Sequence, residues 1–472
     1  MATELTGYAG LQEASVDAKS AIQDFLKLEY TPGLINEFNQ REALINRLAK
    51  DTITGKKKYK SFALGITDNV RGLGGLGIAS DMYQIGLGDF IKGGDKVDAE
   101  FDTTKMIGVF SITDETIMKG TTDGSLYDTL KDTLDRMNVG LKHTQSRWTY
   151  GSHTGLVAVI KTATKFNTTG SDGDTAPGVT HPAVQVGSKE LTGLWKITMS
   201  NQYLLLPGMG IMLKSKDATH QIEAVTTGAQ IPYATGRIWQ EDTSTLNSKT
   251  FIVQLTGYND AVINVIEAGV EVFAAQIMPG TTGTVAQEYH GLHDILIDNS
   301  TKIFGVDRSI YVQLKNPKKD LSNEILTEEI LRDMADHLEL TMPEDRKIGL
   351  VCAPHRVISA VEKSLLQFKS YEINQDPTKG FNLGKPVIQF DNYQLYKDKY
   401  AHDNTVYMLD TGAVGELLRK EFGWLTSGRE GILERRDGTE IYEAIMTKYA
   451  DMYIETWKSH AAFVNVAEDV TP

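Results

Sequence analysis

"YKSFALGITDNVRGLGGLGIASDMYQIGLGDFIKGGD", residues 59–95, holds Gly72, Gly74 and Gly77 at the spacing G-x-G-x-x-G, with Asp95 and Asp98 further on. In a dinucleotide site such glycines close a strand-to-helix turn, so that the helix N-terminus faces a pyrophosphate and the acid reaches a ribose. The required helix is missing. Gly86, Gly88, Gly93 and Gly94 follow, each costing a helix interior about 1 kcal/mol against Ala, and no apolar stripe of 3.6 periodicity offsets them. A nicotinamide-dependent enzyme is therefore only the remote alternative. What remains is a glycine-rich excursion between two strand-like pieces, "KKKYKSFALGIT" before it and "KMIGVFSIT" after it.

The excursion is basic where it starts (Lys56, Lys57, Lys58, Lys60, Arg71) and acidic where it ends (Asp89, Asp95, Asp98, Glu100, Asp102). Folded as a hairpin with arms of about twenty residues, it reaches roughly 65 Å. The radius of gyration of a compact chain this long is only about 23 Å. Such a hairpin projects past its own globule, and an isolated two-stranded ribbon is marginal in water. It needs a neighbouring molecule to lie on.

The 472 residues, 41% of them hydrophobic, suffice for two or three packed units. A net charge of −14 argues against a surface that grips nucleic acid, because phosphate contacts need clustered Lys and Arg. A protein so charged can still enclose DNA without binding it. No run approaches eighteen apolar residues, and the first twenty lack the basic region and apolar core of a signal peptide, which predicts folding in a cytosol. A single cysteine, Cys352, excludes an internal disulfide framework and a multi-cysteine zinc site.

Outward from the excursion, residues 1–54 read as an arm containing one helix, "SVDAKSAIQDFLKLEY". Downstream, "DGSLYDTLKDTLDRMNVGLKHTQSRW" predicts a long helix, with Leu126, Leu130, Leu134, Met137 and Leu141 on one face and Thr122, Asp123 or Ser125 as its cap. Asp128, Asp132 and Asp135 share another face; without His or Cys partners this reads as a solvated or intersubunit face, not a metal site. Between 185 and 280 the helical period vanishes, and "LWKITMS", "GIMLKSK", "QIEAVTT", "TFIVQLTG" and "VEVFAAQI" predict a small β-rich module. Helices return at "LTEEILRDMADHLELTM", with Thr327 as N-cap, and at "HRVISAVEKSLLQF" after the strand "KIGLVCAP". The chain ends in strands: "GILERR", a turn at Asp437-Gly438, "TEIYEAIMTKYADMYIETW" and "AAFVNV".

No catalytic constellation assembles. Cys352 and His355 in "VCAPHR" are three apart across Ala353-Pro354, where the side chains diverge, so Cys352 reads as a buried strand residue. His290 and His293 in "YHGLHD" have a metal-site spacing, but Gly291 weakens a helix and no further Cys or His is near. G-x-S-x-G, a phosphate loop ending in G-K-[ST], and H-E-x-x-H are absent from the sequence. Catalytic, cofactor and metal residues are expected to be none.

The order of pieces resembles the major capsid protein of tailed bacteriophages, the Hong Kong 97-type fold. The local likenesses are "FDTTKMIGVFSITDETIMKG", "GLHDILIDNSTKIFGVDRSIYVQL", and "KIGLVCAPHRVISAVEKSLL" followed by "GKPVIQFDNYQLY". The resemblance implies an α+β chain laid out as an arm (1–54), an extended loop (55–110), a peripheral domain with a spine helix (111–184), a β-rich insertion (185–280), an axial domain (281–429) and C-terminal strands completing the peripheral domain (430–472). It implies that the extended loop lies across an adjacent subunit, and that hexamers and pentamers of this chain build an icosahedral or prolate head around double-stranded DNA, in the virion after assembly in the host cytoplasm. The short N-terminal segment implies a separate scaffolding protein, beside a portal, with a decoration protein as a further option. An encapsulin-like nanocompartment shell is the alternative within the fold.

Overall fold

The computed structural model describes residues 44–63, 96–113, 115, 125–165, 185–186, 189–190, 194–201, 204–217, 221–224, 230–241, 250–257, 263–274, 288–298, 302–311, 314–343, 346–365, 389–390, 393–425, 432–436 and 438–468. Within them lie a short antiparallel hairpin, a long helix, two sheets and a closed barrel.

The first sheet is built on β25 (Ile441–Ile454), whose run of Ile, Tyr, Met and Ala suits a strand covered on both faces. One side of β25 pairs antiparallel with β4 (Thr104–Thr113) over ten positions, from Thr104↔Ala450 to Thr113↔Ile441. Its other side takes β24 (Leu433–Arg435) and β23 (Val414–Trp424), and β23 in turn pairs parallel with β1 (Ala49–Thr52). β4 alternates strictly: Met106, Phe110 and Ile112 turn inward, while Ile107 and Val109 stay exposed.

Helix α1 (Ser125–Tyr150) lies on the inner face of that sheet, with Leu134 and Leu141 buried and Leu141 against Gly108 of β4. Leu126 and Leu130 of the expected stripe, the acids Asp128 and Asp132, and the expected cap lie outside the described side chains. The final turns of α1 run through the interior, so their polar groups must find partners there. Gln145 donates to Glu416 at 3.4 Å, Arg147 pairs with Glu288, and the Tyr150 hydroxyl donates to Asp398 at 2.9 Å. Glu416 is itself held by Lys448 at 2.5 Å, with both side chains almost wholly buried.

The second sheet runs β18 (Lys318–Asp320), β26 (Ala461–Val464), β22 (Val406–Leu409), β19 (Leu350–Ala353), β21 (Tyr393–Lys397) and β20 (Gln389–Phe390). Every residue of β19 and β22 is buried because both faces are covered. Leu350, Cys352, Tyr407 and Leu409 face the core shared with the first sheet. Val351, Ala353, Val406 and Met408 face a second core under α2 (Glu328–Thr341) and α3 (His355–Leu365). Thr327 caps α2 as its sequence predicts, its side chain accepting from the Ile330 amide, and Leu331, Met334, Ala335 and Leu338 form the buried stripe.

The barrel closes in the order β12 (Tyr233–Glu241), β13 (Thr250–Gly257), β8 (Leu194–Met199), β5 (Leu156–Lys165), β15 (Glu271–Ala274) and β9 (Gly210–Lys214). Its interior is filled by side chains such as Ile197, Leu213, Ile238, Phe251, Val253 and Val272. A small sheet of β10 (Ile222–Ala224), β11 (Gln230–Ile231) and β14 (Ile263–Ile266) packs into the same core, and β6 (Gln185–Val186) pairs with β7 (Lys189–Glu190).

Five strands fall differently from the segments read from sequence: β1, within 1–54, and β4, mostly within 55–110, both belong to the first sheet, and β5, β23 and β26 are the others. β5 belongs to the barrel although it lies ahead of residue 185, because the ring closes only through its pairs with β8 and β15. β23 lies within 281–429 but joins the first sheet. β26 lies within 430–472 but joins the second, where Ala461, Ala462 and Phe463 gain cover on both faces between β18 and β22.

Candidate assembly interface

The stem of the excursion is a hairpin of β2 (Lys58–Ala63) and β3 (Lys96–Phe101), paired antiparallel from Lys58↔Phe101 to Ala63↔Lys96. The two-residue period places Lys58, Lys60 and Phe62 of β2 on one face with Val97, Ala99 and Phe101 of β3. That face is rooted in the main core. Phe62 meets Trp457 edge-on at 5.8 Å, Phe101 lies 4.5 Å from Phe304 and 6.5 Å from Tyr453, and Ala99 is fully buried. The Glu100 amide donates to the Phe304 carbonyl at 2.8 Å, which ties β3 to the small hairpin of β16 (Lys302–Ile303) and β17 (Val306–Asp307).

Charges fix the margins of the stem. Lys57 pairs with Glu100, Lys58 with Asp51, and Lys60 with Glu455 at 3.5 Å, while Arg346 holds the other oxygen of Glu455 at 2.5 Å. Burial alone would raise the Asp51 carboxyl, but bonds from Lys58 and the Thr52 amide hold it below the usual carboxylate range. The opposite face carries Tyr59, 65% exposed, with Ser61 donating to Asp98. The stem is therefore one-sided: apolar and fixed toward its own subunit, open on the other side.

Gly72, Gly74, Gly77 and Asp95 of the G-x-G-x-x-G pattern lie outside the described residues, and Asp98 sits exposed on β3. Cys352 is buried in β19 beside Tyr150, where burial pushes its thiol up, whereas His355 is exposed at the start of α3. Asp135 is exposed on α1. His290 and His293 do not converge on one point: His290 stacks on His153 with centroids 4.0 Å apart, and His293 lies 5.0 Å from His402. Among the described residues no group of three or more His, Cys, Asp or Glu is placed to hold a metal ion, and no helix is long and apolar enough to cross a membrane.

Sequence reasoning missed the aromatic root of the stem. Phe304 and Trp457 lie hundreds of residues from β2 and β3, and their only local signal was the alternation that buries Phe62, Ala99 and Phe101.

No family model matches the chain, and no curated protein matches it. Solved structures similar to it include phage capsid proteins. The capsid asymmetric unit of cyanophage A-1(L) aligns at TM-score 0.49 and 9% identity, covering 90% of this chain and 92% of that one. The holo-SrpI encapsulin complex of Synechococcus elongatus PCC 7942 aligns at TM-score 0.40 and 8% identity, over 91% and 89%. The capsid of a native GTA particle aligns at TM-score 0.39 and 7% identity, over 90% of each. At such identities, what this chain does has to be read from its own residues.

Proposed function

We propose that the protein is the major capsid protein of a tailed bacteriophage, a structural subunit of the Hong Kong 97-type and not an enzyme. The observation that carries this reading is the rooted stem of β2 and β3. An aromatic anchor fixes the base of a hairpin whose intervening residues 64–95 include nine glycines, a composition suited to a ribbon laid on a neighbour and unsuited to a core. In this reading α1 with the first sheet is the peripheral domain, the second sheet with α2 and α3 the axial domain, the β2–β3 hairpin the extended loop, and the barrel an insertion on the outer surface. The partners are further copies of the same chain, in hexamers and pentamers, together with a separate scaffolding protein, a portal and a decoration protein on the barrel. The net charge of −14 leaves the inner wall weakly attractive or repellent to the enclosed DNA, so that a packaged genome can slide.

Sedimentation and electron microscopy of the full-length chain, alone and co-expressed with its scaffolding protein, test the reading. Rings of five or six subunits and closed shells of megadalton mass are expected; a monomer or small dimer under both conditions overturns it. Shells isolated from infected cells should contain double-stranded DNA. Enzyme cargo with no DNA would favour the encapsulin-like alternative.

A further inference from the structure

The chain enters the barrel through residues 151–155 and leaves it after Ala274, and the described residues on the two sides meet at one root. The Ala274 amide donates to Gly155 O at 3.3 Å, and the Glu288 amide donates to His153 O at 3.4 Å. Gly291 packs so tightly on the end of α1 that a Cβ there would lie 2.4 Å from the Trp148 and Gly151 carbonyls. The root also carries an imidazole from each connection. His153 and His290 stack at 4.0 Å with ring planes 18° apart.

The groups facing this pair come from every element around it. His153 donates through Nδ1 to the Glu288 carbonyl at 2.6 Å, so its proton sits on that nitrogen, and its amide donates to Asp294 at 2.6 Å. His290 lies 3.5 Å from Asp294, and its amide donates to Asp451 on β25 at 2.8 Å. Thr104 of β4 bonds the other Asp451 oxygen at 3.4 Å, the Phe304 ring stands edge-on to His290 at 4.9 Å, and Arg308 is the nearby cation. The Glu288 carboxylate is occupied by Arg147. With His290 charged and His153 neutral, the pair and its two acids, Asp294 and Asp451, carry one net negative charge (+1 − 2). With both imidazoles charged and Asp451 neutral, they carry one net positive charge (+2 − 1), concentrated in two stacked cations.

We propose that this root is an acid-operated latch: a single charged imidazole holds the two connections together, whereas two stacked imidazolium rings part them and let the barrel turn relative to the first sheet. The electrostatics run in the required direction. Burial and the charge of His290 hold His153 down, whereas Asp294 and Asp451 overcome burial and raise His290. Burial lifts Asp451 to about 7, so this acid loses its charge between pH 8 and pH 5. The reciprocal bonds between Asn201 and Asp403, at 2.7 and 2.9 Å, form a second contact and serve as the pivot.

Spin labels on the full-length chain at Lys161→Cys in the barrel and Lys420→Cys in the first sheet report the motion, since the native Cys352 is buried. A narrow distance distribution at pH 8 that shifts and broadens at pH 5 is expected, and His153→Asn, which keeps a donor for the Glu288 carbonyl but cannot be charged, should abolish the change. The same distribution at both pH values, or a shift that persists in both His153→Asn and His290→Gln, overturns the proposal. Should those variants fail to fold, hydrogen exchange on the unmodified protein decides. After correction for intrinsic rates, the Glu288 and His290 amides should exchange about tenfold faster at pH 5 than at pH 8, with the β13 amides unchanged; unchanged protection at Glu288 and His290 overturns the latch.

Discussion

Arg147 grips Glu288 through both terminal nitrogens, at 3.1 and 2.7 Å, with each side chain almost wholly out of water. The pair joins the last turn of α1 to the connection leaving the barrel. Removing one partner strands the other. Glu288→Ala should therefore destabilise the subunit by about 3–5 kcal/mol, whereas replacing both with apolar residues of similar volume should cost far less. Urea titration of the two variants compares them directly, and equal losses would show that the pair is not a unit.

Phe101 and Tyr59 stand on opposite faces of the same stem. Phe101→Ala empties a site that is 2% exposed and should cost about 3–5 kcal/mol of subunit stability. Tyr59→Ala should change stability by no more than about 0.5 kcal/mol yet impair shell formation, because its ring faces away from its own core. Thermal unfolding paired with sedimentation separates the two effects.

Replacing residues 64–95 with Asn-Gly joins Ala63 to Lys96, the last pair of the stem, by a two-residue turn suited to a hairpin. The shortened chain should fold with an unchanged melting temperature and fail to close into shells. Normal particles from this variant would remove the ribbon from the assembly mechanism.

The barrel is expected to behave as a semi-independent unit. Gly236→Val would place a Cβ 2.2 Å from the Gln254 carbonyl inside the β12–β13 ladder, which should open the barrel while α1 and both sheets keep their protection in hydrogen exchange. Excision of 156–274 through a short Gly/Ser linker should spare the rest, since the Gly155 carbonyl and Ala274 amide already meet. Wholesale unfolding of the excised chain, alongside a mild effect of Leu134→Ala, would make the barrel part of the common core.

The buried histidines should weaken the subunit in acid. Burial drives His402 and His460 down to about 3 from the ordinary 6.5, and the Asp410 amide donates to His460 Nδ1 at 3.2 Å, which a proton there would abolish. A folded value below the unfolded one means that this stability is fully present above about pH 6.5 and is lost as pH falls toward 3. Asp451, raised to about 7, works in the opposite sense, its contribution present below about pH 4 and lost as pH rises through 7. Glu288, Asp398 and Asp410 are raised in the same sense as Asp451, and His153 and His293 are lowered in the same sense as His402 and His460, so the histidine part of the pH dependence is a loss in acid. His402→Phe should flatten it, as measured by denaturant midpoints between pH 4 and 8.

Local features were legible in the sequence. The Thr327 cap, the 3.6-residue stripe of α1 at Leu134 and Leu141, and the alternation of β4 each follow from short-range sterics and burial. Pairings between distant segments were not. Nothing in "AKDT" announces a parallel partner at Gly415–Leu418, and "AAFV" reads equally well as a strand of either sheet. The π-type turn at His293–Ile297 escaped for a related reason: Arg308 and Asn316 satisfy its carbonyls from further along the chain. For the candidate interface, the hairpin itself was readable, but its aromatic root was not.

The ten-position pairing of β4 with β25 also governs the order in which the nascent chain can fold. At about 5–20 residues per second, β4 leaves the ribosome roughly 20–70 s before its partner strand exists. The barrel strands all emerge within that interval, so the barrel can mature while the first sheet is still half made. Ile107 and Val109 therefore spend the whole of synthesis without a finished sheet behind them.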